Sequence, residues 1–322
     1  MEESILTNPT FKLNFPKKVQ YVEWSPYEWS QHLICIGLGE EIIIATIKFQ
    51  EEDNVVEDIA YTPLKTFHHE TRIHALSWSP ETSLNVVPKI VSFCVAGADF
   101  KIRLYNSDLG EKNLYEVLEG HTSYVNDIAY DPEGELLASI SDDNTCKLWS
   151  IKEEQKCILT FHLRAPGMNV RWHPEETGKL LVAEKGGIMR MYNVQTQQAI
   201  MSVDADVVPL MTADWGPNPL KVACVSSGEL VVWDMSRPSR PIERRTLHIE
   251  GGLMMKFCPS NENIIASLGR PDNLLKIVSL KQKPVLLCGQ VILFGGLSWH
   301  QRAPIVCAGS DRQLLFWRLN SK

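Results

Sequence analysis

The chain has 322 residues, of which 44% are hydrophobic and 22% charged, enough apolar content for a large buried core without metals or disulfides. Its formal net charge of −7 is the wrong sign for a protein whose main partner is a phosphate backbone. No run approaches the roughly 18 apolar residues of a membrane span, and Glu2 and Glu3 stand where a secretory signal would be basic and then apolar, so the chain is expected to stay inside the cell.

In chain order, residues 1–9 read as a tail whose loss costs little, and the alternating Phe-Lys-Leu-Asn-Phe of residues 11–15 reads as a lone strand. A short alternating phrase ending in an aromatic then recurs seven times, usually with proline two residues on. The aromatics are Trp24, Trp78, Tyr130, Trp172, Trp215, Phe257 and Trp299, spaced 54, 52, 42, 43, 42 and 42 residues apart. After each comes a strand, turn and strand: residues 33–37 with 42–47, then 93–105, 136–149, 180–192, 222–233, 264–278 and 305–317. Extra residues in two loops, the acidic 51–58 and 81–89, account for the two long intervals.

A period of 40 to 45 residues built from period-2 strands predicts the four-stranded blade of a β-propeller, and helical repeats of similar length do not fit the pattern. The expected fold is all-β, a single seven-bladed propeller over 1–322. The seventh phrase is followed by only two strands before Lys322, so residues 11–15 are expected to supply its outermost strand and close the ring.

His121, Ser139 and Asp143 resemble a hydrolase triad, but no Gly-x-Ser-x-Gly elbow surrounds a serine. With Gly120 and Trp149 they match the WD-repeat signature, whose implied role for these four side chains is a structural tetrad bonded in series inside one blade. Partial copies at the same phase, His69 with Asp99 and Tyr105, His248 with Asp272, and Asp311 with Trp317, favour that reading, since an enzyme needs one site. No catalytic residue, cofactor, metal or small-molecule substrate is expected. Gly37-Leu-Gly39 lacks a third glycine and a following helix, and the adjacent His68 and His69 have no further ligand at a zinc-like spacing. His173 and His300 each follow a repeat tryptophan, at a loop position set by the fold. The eight cysteines lack any Cys-x-x-Cys pair, and seven of them fall in strand-like runs, the pattern of buried reduced thiols. Arg237, Arg240, Arg244 and Arg245 are interrupted by Pro238 and Pro241 and read as a solvated loop and strand edge, with a docking patch for an acidic partner as the alternative.

Thr66-Phe-His-His69, Val117-Leu-Glu-Gly-His-Thr122, Ala165-Pro-Gly-Met168, Trp172-His-Pro-Glu-Glu-Thr177, Val208-Pro-Leu-Met211 and Leu297-Ser-Trp-His300 resemble the small WD-repeat nucleoporins. The resemblance runs from about Tyr21 to Trp317, and residues 1–20 and 237–245 fall outside it. It implies a structural scaffold subunit of the Y-shaped complex of the nuclear pore, docked on a large nucleoporin that joins a propeller to an α-helical stack, and in animals a role at the kinetochore in mitosis. Another WD-repeat adaptor, a ubiquitin-ligase substrate receptor or a histone-binding platform, is the alternative. Trp233-Asp-Met-Ser, where ligase docking would require Trp-Asp-x-Arg, counts against the first of these. Trp29, outside the repeat phase and in the loop after the first inner strand, is the candidate anchor for a partner, or else a cap on blade 1.

Overall fold

In a computed structural model, residues 6–50, 59–111, 114–152 and 155–319 are described; the acidic loop 51–58 lies outside them. Seven four-stranded antiparallel sheets follow one another round a ring. The innermost strands are Val19–Trp24, Ile73–Trp78, Val125–Tyr130, Gly167–Trp172, Leu210–Trp215, Gly251–Cys258 and Phe294–Trp299. Each ends at or beside its repeat aromatic, so the sequence phrase marks where the chain turns outward. Each blade is numbered here by its innermost strand.

All seven ladders between an innermost strand and the next carry a register shift at the same phase, after Val19, Ile73, Val125, Gly167, Leu210, Gly252 and Phe294. An extra residue there sharpens the right-handed twist that lets flat sheets pack as blades about an axis. The hydrophobic core is divided accordingly into seven clusters, each filling one seam between neighbouring blades. Blade 7 packs on blade 1 through Ile305, Cys307, Leu314 and Phe316 against Trp24, Ile36, Ile47 and Phe49.

The ring closes as expected. Phe11–Asn14 pairs with Gln313–Arg318 as the outermost strand of blade 7, Phe11 opposite Phe316 and Leu13 opposite Leu314. Residues just before it do more than a tail would, which corrects the expectation for 1–9. Leu6 bridges to Cys288 on the outer strand of blade 6, and the Thr7 carbonyl accepts the Trp317 indole N–H at 3.1 Å. All eight cysteines lie on strands as free thiols, seven buried and Cys157 exposed.

Candidate functional site

Blade 3 brings the four signature residues into one chain of bonds. Trp149 Nε1 donates to Ser139 Oγ at 2.8 Å, and Ser139 Oγ lies 2.7 Å from His121 Nε2. His121 Nδ1 lies 2.8 Å from Asp143 Oδ2, and Asp143 also accepts from Thr122 N, Thr145 N and Thr145 Oγ1. A neutral His121 with its proton on Nδ1 satisfies every member at once. Burial lowers the His121 pKa against the pull of Asp143, keeping it neutral. Burial alone would raise the Asp143 carboxyl, but the bonds from Thr145, His121 and Thr122 together hold it below the usual carboxylate range. Ser139 is fully buried, so no substrate reaches its hydroxyl.

The partial copies keep some of these partners and exchange others. His69 Nδ1 meets Tyr105 OH at 3.0 Å, but Asp99 turns to the guanidinium of Arg103, at 2.7 and 3.1 Å. Arg103 is buried and four residues on, so its charge outcompetes a neutral imidazole for the carboxylate. His248 Nε2 meets Ser267 Oγ at 2.9 Å, while Asp272 accepts the Leu274 N–H of its own turn. In blade 7 Asp311 sits in the turn with φ 53°, and Trp317 reaches the N-terminal segment instead of a blade partner. His173 and His300 play the same part in their blades. Each Nδ1 accepts two backbone N–H groups of the loop that follows, from Glu175 and Glu176 in one case and from Arg302 and Ala303 in the other.

Burial lowers the pKa of His69, His248 and His300 to about 4. An unfolded histidine titrates near 6.5, so protons bind the unfolded chain first. Stability present above pH 6.5 is therefore lost as pH falls from about 6.5 toward 4. The urea midpoint at pH 5.5 is expected to lie below that at pH 7.5, and equal midpoints would contradict this assignment.

The innermost strands carry a second set of polar residues that spacing alone did not reveal. Side chains one or three positions before the repeat aromatic accept backbone N–H groups from the next blade. Ser77 accepts from Tyr130, Asp127 from Val170, Asn169 from Ala213, Thr212 from Met255, Asp214 from Phe257, and Ser298, across the closure, from Trp24, all at 2.8 to 3.2 Å. The indoles of Trp78, Trp172 and Trp299 reach back to carbonyls of the preceding blade at Glu23, Ala129 and Lys256. Arg171 lies between Asp127 and Asp214, donating to both, and Lys256 Nζ binds both carboxylate oxygens of Glu23 at 2.5 and 2.7 Å. Each of these groups is buried or half-buried, and the pairs compensate charges that would be costly alone. The signal was in the repeat itself: Glu23, Arg171, Asp214 and Lys256 all stand one residue before its aromatic.

Trp29 occupies a one-turn 3₁₀ helix, Glu28–Ser30, between the first two strands of blade 1. Its indole N–H donates to the Thr82 carbonyl at 2.9 Å, its ring stacks on Tyr27 at 5.1 Å, and Asn85 donates back to its carbonyl. It thus straps blade 1 to the 81–89 loop of blade 2 and still leaves 47% of its surface exposed. Asn85 runs straight into Val86 and Val87, 64% and 89% exposed. Of the basic cluster, Arg244 and Arg245 lie on the outer strand Glu243–Thr246 of blade 5, bonded to Glu229 and Glu243. Among the described residues no group of His, Cys, Asp and Glu could hold a metal ion, and no helix is long and apolar enough to cross a membrane.

The family model for the WD domain, G-beta repeat, matches residues 61–106 and 112–150. The chain is 41% identical to human Nucleoporin Nup37, over 98% of this chain and 99% of that protein. The chain belongs to the Nup37 nucleoporin family. The mouse protein is 40% identical over the same extent, and the Drosophila melanogaster protein 37% identical over 92% of each chain. Within the Nup37 family, then, the likeness runs through all seven blades and begins ahead of the limit at Tyr21 that the sequence phrases set.

Proposed function

We propose that this nucleoporin is a scaffold subunit of the Y-shaped outer-ring complex of the nuclear pore. It docks on a large partner that joins a propeller to an α-helical stack, supports pore assembly and nucleocytoplasmic transport, and in mitosis serves at the kinetochore. The observation that carries this reading is the whole-chain likeness to Nup37 nucleoporins, on a ring whose polar networks face inward. His121, Ser139, Asp143 and Trp149 hold blade 3 in shape and perform no catalysis. The single domain spans 1–322, with 1–15 as N-terminal segment and closing strand. Trp29, with Val86 and Val87 beside it, offers an apolar anchor on the face where the innermost strands end.

Calorimetric titration of the chain against the helical fragment of that partner, and against random duplex DNA, tests the proposal at 50 and 200 mM salt. Interfaces of permanent assemblies are apolar at their centre, so tight one-to-one binding that barely changes with salt is expected. DNA binding through six to ten phosphates would lose about 10³ to 10⁵ in affinity over the same range. Absent partner binding beside robust DNA affinity would overturn the reading. Trp29→Ala is expected to weaken the partner by about 2 kcal/mol or more, the usual cost at an aromatic hot spot. Unchanged affinity removes Trp29 from the interface without touching the scaffold role.

A further inference from the structure

Where the innermost strands end, the axis of the ring opens into a cavity of about 370 Å³. That volume lies within the range of about 300 to 1,000 Å³ usual for built binding sites. Its walls carry Glu23, Asp127, Asp214, Arg171 and Lys256, and its mouth carries exposed prolines of the repeat, among them Pro26, Pro174 and Pro217. We infer that this cavity receives the cationic side chain, arginine or lysine, of a polypeptide that crosses this face of the ring.

The charge arrangement carries the argument. Three carboxylates face two cations, so the cluster keeps one net negative charge in a confined space. Both resident cations are already committed, Arg171 to Asp127 and Asp214, and Lys256 to both oxygens of Glu23. An anion could enter only by breaking one of these pairs, at a large cost, whereas a further cation meets carboxylates in excess. Burial raises the Glu23 and Asp214 carboxyls above their ordinary values although Lys256 and Arg171 pull them down, so a further cation beside them would favour their charged form. A bare metal ion is disfavoured by the absence, among the described residues, of a converging set of three ligands. The mouth suits a long side chain instead: the exposed proline rings take the aliphatic stem while the charged head reaches the carboxylates. Trp29, Val86 and Val87 lie in loops on the same face, within reach of the rest of such a polypeptide. The chain's overall charge of −7 favours the approach of a basic segment.

The test uses the full chain and a fluorescently labelled nine-residue peptide, Gly-Ser-Gly-Ala-Arg-Ala-Gly-Ser-Gly, with versions carrying lysine, citrulline or glutamate at the centre. Anisotropy titrations are expected to show the arginine and lysine peptides binding at least tenfold more tightly than the citrulline and glutamate ones. Asp214→Asn, which keeps an acceptor for the Phe257 N–H, is expected to remove that preference. If that variant does not fold, Gln301→Trp at the mouth supplies the test, because it narrows the entrance without altering any charge. Equal binding of arginine and citrulline peptides would overturn the proposal, as would preference for glutamate. Arginine binding unchanged in Gln301→Trp would overturn it too, by assigning the attraction to the outer surface. The outcome does not depend on which complex the chain joins.

Discussion

A chain lacking residues 1–15 is expected to lose cooperative folding and to self-associate. Phe11–Asn14 is the outermost strand of blade 7, and its removal bares the edge of Gln313–Arg318 to any other strand in solution. Phe11, Leu13 and Phe15 also seal the seam between blades 7 and 1. Burying one large apolar side chain is worth about 1.5 to 3 kcal/mol, so three of them, partly buried, approach the 5 to 15 kcal/mol by which a domain is stable. Light scattering after gel filtration and a urea melt read both effects. A monomer with the midpoint of the full chain would show that the ring does not depend on this strand. Removing only 1–9 is expected to cost about 1 to 3 kcal/mol, because the Trp317 indole loses the Thr7 carbonyl.

Trp149→Ala is expected to destabilise the chain by about 3 to 5 kcal/mol. The indole is buried in the seam of blades 2 and 3 with Leu118, Ile128 and Leu137, and its N–H ends the chain of bonds that begins at Asp143. Gly120 shows how closely the ring is held: a β-carbon there would stand 3.1 Å from the indole edge. Ser139→Ala leaves both His121 Nε2 and Trp149 Nε1 without their partner and is expected to cost about 1 to 3 kcal/mol. Urea unfolding at pH 7.5 measures both, and wild-type midpoints would remove the tetrad from the account of stability.

The parts of this molecule that repeat were legible in the amino-acid order alone. Trp24, Trp78 and their five counterparts fixed the blades, because a residue that must end each innermost strand recurs wherever a blade does. The pairing of residues 11–14 with blade 7 followed from counting strands, since a ring cannot leave one edge open. What spacing could not supply was the choice among competing partners. Asp99 and Asp143 hold equivalent turns, yet only Asp143 binds its histidine, because Arg103 lies four residues beyond Asp99 and takes it. The Glu23 to Lys256 pair joins blades separated by 233 positions, a juxtaposition set by the radius of the ring. Trp29 showed the same limit: its exposed face was foreseeable from its place outside the repeat, its bond to Thr82 was not.

The scaffold role is tested most directly by recovering the endogenously tagged chain from nuclear-envelope extract under native conditions and quantifying its companions by mass spectrometry. The account predicts the subunits of the Y-shaped complex in near-equal amounts, with the large propeller-plus-helix nucleoporin resisting 200 mM salt. Recovery of ubiquitin-ligase subunits or histones in those amounts, with the Y-complex subunits absent, would contradict it.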